Sequence, residues 1–349
     1  MAEPLAHFGG RTGSRLVTVS DDPAVLDSGG WWAVVVDFEG SATFARFGRV
    51  ESGPMPDAAW PGVDPSTWTS SMSRPEYEAA VALVRDRIAE GFVYQANICR
   101  MLRAPMPDAV EDLTGLASLL ATRQRAPYTG LVRLPDQGVH VASASPELFL
   151  RLDGRRLTSS PIKGTGRTPA DLLEKDSAEN VMIVDLVRND LGRVCRTGSV
   201  SVPHLLALEE HPGLVHLVST VSGELRTDAA WRDVFEAAFP PGSVSGAPKH
   251  SALQVIDALE TAPRGPYCGA VGWVDADRQR AELAVGIRTF FVDAADGPPQ
   301  LCFGTGAGIT WGSEPAREWD ETQLKAERLL AVAAIRHQGG ANATERSTT

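Results

Sequence analysis

What this sequence lacks narrows it first. Its four cysteines (Cys99, Cys195, Cys268 and Cys302) lie far apart among 349 residues, with no CxxC pair and no metal-ligand spacing. That excludes a disulfide framework or a zinc ribbon, and buried free thiols in a reducing compartment are expected. Positive charge is in the minority: 33 Lys and Arg stand against 44 Asp and Glu, a formal net charge of -11. A nucleic-acid binder would show a basic face instead. An anionic small molecule is not excluded, because a few placed cations, backbone N–H groups or a divalent metal can overrule net charge locally. Long apolar runs are missing too. The longest burst, WWAVVVDF at 31–38, is far too short to span a bilayer. The N-terminus, MAEPLAHFGG, has no basic start followed by an apolar run, so no signal peptide is expected. No short-period repeat occurs, which removes solenoids and propellers. A soluble cytoplasmic protein is the expectation, with no membrane or nucleic-acid partner.

What is present is enough for a large core, since 43% of the residues are hydrophobic. Residues 51–72, rich in Pro, Ser, Asp and Gly, read as a surface connection. The expected division is an N-terminal β region over 1–72, a main body over 73–336, and a disordered tail of small polar residues over 337–349. The main body opens with a helix: Ser73 and Glu76 form a capping box, Pro75 sits early, and Tyr77, Val81, Val84 and Ile88 make one apolar stripe. Gly91 ends it. The stretch from Phe92 to Arg100 then alternates, with Gln95 and Asn97 on one face. Further strands are predicted at 139–151, 155–162, 214–225, 268–275, 282–293 and 300–311, and helices near 174–190, 246–260 and 314–336. Asp153-Gly154 reads as a tight hairpin turn and Asp275 to Arg278 as a looser one. Helices that do not alternate regularly with strands point to the α+β class.

Four constellations could carry chemistry. Asp176 and Glu179 on one helix, and Glu318 and Glu321 on another, are each three residues apart and share a face. Such carboxylates could hold Mg²⁺, although solvated helix faces show the same spacing, with Glu321 and Lys325 as an ordinary i,i+4 pair. Gly304, Gly306 and Gly308 alternate along one strand and would bare a face for close approach. Beside them Arg288 shares a face with Ala284 and Gly286, a setting for a carboxylate; a tightly packed or bulged strand explains the pattern equally. FPPGSVSGAPK at 239–249 runs into a helix, where free N–H groups and Lys249 could meet an anion, as could an ordinary capped turn. Its spacing is not that of a nucleotide phosphate loop. Finally, counting back from Asp153-Gly154 sets Glu147 opposite Ser160, with Lys163 at the same sheet end. The pair could be a general acid and a nucleophile, or an exposed salt bridge.

Together the strings SPELFL (145–150), PIKGTGRT (161–168), AENVMIVDLVRNDLGRV (178–194), FPPGSVSGAPK, YCGAVGWV (267–274), GIRTF (286–290) and GTGAGI followed by SEPAREWDETQLKAERLL resemble the chorismate-utilising enzymes, in order from about Arg74 to Leu330. That family includes anthranilate synthase and aminodeoxychorismate synthase components I, isochorismate synthases and salicylate synthases. The resemblance implies two packed antiparallel β-sheets flanked by helices. It implies Glu179 and Glu321 as Mg²⁺ ligands, with Asp176 and Glu318 reaching the ion's waters. Tyr267 and Arg288 would hold the enolpyruvyl carboxylate. Gly164, Thr165, Gly306, Ala307 and Gly308 would make close contacts, with His216, Ser243 and Lys325 completing the wall, and Glu147 would be the general acid.

Within the family, PIKGT resembles the aminodeoxychorismate synthase form, in which Lys163 adds to C2 of chorismate before ammonia enters at C4, on the way to p-aminobenzoate and folate. Anthranilate synthases resemble PIAGT there. Gln95 stands where water-activating members resemble a lysine, and an amide cannot be a general base at neutral pH. The N-terminal region is short for the family, which leaves tryptophan binding open. No Cys–His–Glu amidotransferase block is present, so the resemblance implies ammonia from solution or from a separate glutamine amidotransferase subunit. The rival expectations are an anthranilate synthase component and a catalytically silent chorismate-binding subunit.

Overall fold

Trp31–Val36 is a run of six apolar residues, and it forms a strand with every position buried, as a run without polar alternation requires when both faces of a sheet are covered. It belongs to an N-terminal meander of β1 (Leu5–Phe8), β2 (Arg11–Ser20), β3 (Trp31–Val36) and β4 (Ala42–Ser52). After the short β5 (Thr69–Ser70) come α1 (Arg74–Ala89), β6 (Gln95–Pro105), α2 (Thr114–Arg123), β7 (Tyr128–Leu134), β8 (Val139–Ser145), β9 (Leu148–Asp153), β10 (Arg156–Ser160) and β11 (Ile162–Gly166). Next are α3 (Glu174–Gly192), β12 (Ser201–His211), β13 (Leu214–Glu224), α4 (Trp231–Ala238), α5 (Gly242–Ser245), β14 (Gly246–Ala247) and α6 (Lys249–Leu259). The last elements are β15 (Ala270–Asp275), β16 (Arg280–Val285), β17 (Thr289–Asp293), β18 (Gln300–Ile309) and α7 (Pro315–Ala333). This computed structural model describes all residues except 1, 109, 125, 167, 170–173, 212, 213, 296 and 340–349, and also leaves the side chains of 165, 174–176, 210, 211 and 214 undescribed. Most of the expected tail over 337–349 therefore lies outside the described residues.

The architecture is α+β. Its antiparallel strands join in one continuous ladder, β12–β13–β10–β9–β16–β15–β3–β4–β2–β1–β7–β8–β17–β18–β6. β11 lies along β13, and β5 and β14 lie along β6. The two expected sheets are thus hydrogen-bonded into a single curled sheet with helices against it. β3 pairs along its whole length with β15, from Val36 opposite Ala270 to Trp31 opposite Asp275, so the N-terminal strands are built into the body's sheet.

α1 forms as its capping signals predict. The Ser73 N–H and hydroxyl both donate to the Glu76 carboxylate at 2.7 Å, and Tyr77, Val81 and Val84 are buried. Four other expectations need correction. Residues 51–72 are not a surface connection throughout, because Trp60 is fully buried and its indole N–H donates to the Ala333 carbonyl at 2.8 Å. An indole anchors readily there because its large apolar ring and single donor are both satisfied. The strand expected at 139–151 breaks at Pro146–Glu147, and the one at 282–293 breaks at Gly286–Arg288. At the second break Arg288 has φ +51°, so strand alternation does not set its face. The β9–β10 hairpin turns at Gly154–Arg155, with Asp153 opposite Arg156, and a register shift before Ser160 sets that residue opposite Leu148 rather than Glu147. One residue's difference in turn position shifts every pair after it. The helices α2 and α4 and the strands β7 and β12 were not predicted.

Candidate functional site

The strand break at Pro146–Glu147 and the irregular start of β11 bring an acid and an amine together. β11 pairs with β13 through Ile162 opposite Val218 and Thr165 opposite His216, with a register shift between the two pairs. Lys163 and Gly164 lie in that irregularity. Gly164 has φ +82°, a conformation that costs a side chain-bearing residue energy and that re-aims the strand at the lysine. The Lys163 ammonium donates to the Ser243 carbonyl at 3.1 Å. Burial holds its pKa below the usual lysine range, opposed by the charges of Glu179, Glu147 and Glu321 and reinforced by Lys325. Four charged groups from three separate segments thus act on one amine.

Glu147 is buried, and its carboxyl is pushed up to about 7 by desolvation, against hydrogen bonds from the Ser243 side chain and the Ile162 N–H and the charge of Lys163. A cavity of about 20 Å³ adjoins Glu147, Ser243, Asp190 and Val285, room for roughly one water. Ser243 is the hinge of this arrangement. Its carbonyl accepts from Lys163 and also from the Asn97 amide at 3.2 Å, while its side chain reaches Glu147.

On the far wall, Lys325 donates to the Gly306 carbonyl at 3.1 Å and pairs with Glu321 at 2.6 Å. The glycines of β18 do mark close approach. A side chain at Gly304 would meet the Tyr267 ring at 2.1 Å, and one at Gly308 would meet the Gln95 amide nitrogen at 2.3 Å. Between them Gly306 and the buried Ala307 face Cys99 and Ile98 across the ladder. Burial and the neighbouring thiols of Cys268 and Cys99 raise the Tyr267 hydroxyl far above its usual value, so it stays a hydrogen-bond donor. Gln95 is completely buried, and neither of its amide atoms has a hydrogen-bond partner among the described residues. Arg288 is half-buried; desolvation and the nearby Arg328 lower its pKa, and its guanidinium has no acidic partner among the described residues. Such an unpaired cation suits a carboxylate. His216 is buried on β13 beside Thr165.

Not every sequence expectation enters the site. Lys249 does not wait for an anion: its ammonium pairs with Asp190 at 2.8 Å and donates to the Ala238 carbonyl at 2.9 Å, because α6 begins at Lys249 itself. The side chains of Thr165 and Asp176 lie outside the described residues. Glu318 is buried, Glu179 and Glu321 both act on Lys163, and no group of three acids, cysteines or histidines gathers closely enough for an ion among the described residues. The donor chemistry nevertheless fits a hard divalent cation, since carboxylates on α3 and α7 flank one ammonium and outnumber the cations around it. Sequence reasoning missed Arg264 and Glu260. Arg264 is 1% exposed and bonds Glu260 through two nitrogens, at 2.8 and 2.6 Å. The sequence signals for it are its place four residues after Glu260 and just before YCGAVGWV.

A buried acid, a pKa-lowered amine and an arginine with no acidic partner among the described residues, set in a curled antiparallel sheet, define an enzyme-like site for a small anion. The family model for chorismate binding enzymes matches residues 42–331. The chain therefore belongs to the chorismate binding enzyme family. It is 37% identical over 318 residues to anthranilate synthase component 1 of Haloarcula marismortui, covering 85% of this chain and 63% of that protein. It is likewise 37% identical over 277 residues to aminodeoxychorismate synthase component 1 of Salmonella typhimurium, covering 76% of this chain and 59% of the relative. The chain thus spans less than two thirds of either relative. The menaquinone-specific isochorismate synthase MenF of Escherichia coli shares the fold, with a TM-score of 0.77 at 18% identity over 95% of this chain and 88% of that one. Among the described residues no helix is long and apolar enough to cross a membrane.

Proposed function

We propose that this chain aminates chorismate at C4, giving 4-amino-4-deoxychorismate, with ammonia as the nitrogen source. The observation that carries the reading is Lys163 in PIKGT, its amine desolvated and set with Glu147 around a single residue, Ser243. Desolvation favours the neutral amine, which is the form that attacks. In the proposed reaction neutral Lys163 Nζ adds to C2 of the ring and gives up a proton, both ring double bonds shift by one position, and the C4 hydroxyl leaves as water with a proton from Glu147. Ammonia then adds at C4 and gives up a proton, both double bonds return, and the lysine amine departs from C2 with a proton. Both reactions are substitutions without oxidation or reduction. Tyr267 and Arg288 would hold the enolpyruvyl carboxylate. Gly164, Thr165, Gly306, Ala307, Gly308, His216, Lys325 and Gln95 would line the remainder. Glu179 and Glu321, with Asp176 and Glu318 behind them, would hold Mg²⁺, which supplies positive charge to the ring carboxylate.

Relatives of both kinds support the broader family, and an anthranilate-type reaction is the second reading. Incubation with chorismate, Mg²⁺ and ammonium should yield the C4-aminated product, identified by mass and retention against standards. Glutamine should replace ammonium only when a glutamine amidotransferase subunit is added; glutamine-dependent turnover by the chain alone contradicts the separate-subunit reading. Anthranilate as the product overturns the assignment.

The metal has its own test. Excess EDTA should abolish turnover, restored by Mg²⁺, and Glu321→Ala should do the same while its thermal transition stays cooperative. Full activity in EDTA rules the ion out.

A further inference from the structure

We propose that Arg264 is a positioning residue that sets the aim of Lys163 and Glu147 through the α5 turn. This rests on the roles proposed above for those two residues. Arg264 Nη1 donates to the Val244 carbonyl at 2.9 Å, and Nη2 donates to the Asn97 carbonyl at 2.9 Å. Val244 follows Ser243 in the turn, and the Asn97 amide donates to the Ser243 carbonyl. One guanidinium therefore grips both neighbours of the residue that touches Lys163 and Glu147. It is itself held. Glu260 binds it through both oxygens and also accepts the Cys99 N–H at 2.7 Å, and the Phe38 ring lies 4.0 Å from the guanidinium carbon.

A planar fork explains the choice of arginine, because an ammonium cannot reach two carbonyls and a carboxylate in fixed directions. A side chain buried only for stability would have no reason to converge on the two carbonyls that flank Ser243. Without the fork, two buried carbonyls lose their donor, and the turn moves to recover partners. A displacement of about 1 Å at reacting groups can cost a factor of about 100.

The test uses the full chain with ammonium as donor. Arg264→Lys should lower kcat about 100-fold and leave the KM for chorismate within about threefold. Asn97→Ala should lower kcat about tenfold, and the double variant should fall no further than Arg264→Lys, since both act through Ser243. Losses that multiply in the double variant overturn the proposal, as does a kcat loss matched by an equal rise in KM. Should Arg264→Lys not fold, Asn97→Ala alone decides, and an unchanged kcat sinks the idea. Labelling of Lys163 with acetic anhydride, read by mass spectrometry, judges the positioning even if Lys163 proves not to be catalytic. Arg264→Lys should change that labelling rate several-fold, and an unchanged rate overturns the proposal. Wild-type turnover by Lys163→Ala would instead show that the catalytic reading has failed.

Discussion

Lys163→Ala is expected to lower formation of the C4-aminated product by about four powers of ten, with chorismate still bound. The size follows from what is removed and what remains. Loss of a nucleophile commonly costs several powers of ten, and a residual rate survives from binding and electrostatics alone. Glu147, Arg288 and Tyr267 are untouched, and Ser243 keeps its donor from Asn97. The buried wall loses one cation, so Glu147, which that cation helps to ionise, should titrate higher still. The space left beside C2 gives ammonia a direct path, and traces of a C2-aminated, anthranilate-type product are expected. Product analysis by mass spectrometry over a long incubation checks both parts. Near-wild-type formation of the C4 product would show that Lys163 is not the nucleophile.

Much of this was legible because local rules and tertiary demands agreed. α1 could be read from Ser73, Glu76 and an apolar stripe, and α7 from its length and the spacing of Glu318, Glu321 and Lys325. The glycines of β18 announced close approach, although the approaching group at Gly304 is the Tyr267 ring. The β9–β10 register was misread because Asp-Gly is a strong turn pair, yet here the turn takes Gly154 with Arg155. α4 went unread although Trp231, Val234, Phe235 and Ala238 have helical spacing; its short length hid it, and its N-terminal bond from Ala230 N–H to Asp233 at 2.8 Å is a capping signal in a sequence without Ser or Thr at the cap. The chain's four lysines, Lys163, Lys175, Lys249 and Lys325, were an unused clue in a sequence that otherwise prefers arginine. An amine that must lose its proton cannot be an arginine. Arg264 was invisible for a different reason: the carbonyls of Asn97 and Val244 come from separate segments, and only the fold brings them to the guanidinium that Glu260, four residues earlier, already binds.

The pH dependence of Glu147 is the second large effect expected. A general acid must carry its proton, and burial raises this carboxyl from 4.5 to about 7. Turnover should therefore fall as pH rises through about 7. Attack also needs Lys163 without its proton, and burial lowers its pKa below the usual lysine range, so turnover should fall again once the pH drops beneath that lowered pKa. Glu147→Gln keeps the shape and the bond to Ser243 but has no proton to give at C4. Its kcat should drop about 10² to 10⁴-fold, and the limb near 7 should vanish from what remains. Stability has a matching sign. A folded-state pKa above the unfolded value means that Glu147's contribution is complete below about 4.5 and is lost as pH rises through about 7. Asp37, raised to about 6 by burial and Glu39, adds a similar loss in an overlapping window, so wild type alone cannot isolate the effect. The difference between wild type and Glu147→Gln can, because Asp37 is common to both. Melting temperatures measured from pH 5 to 8 should fall more steeply for wild type than for Glu147→Gln. Parallel curves, with an unaltered basic limb in the variant's rate profile, would show that Glu147 is neither the titrating group nor the acid.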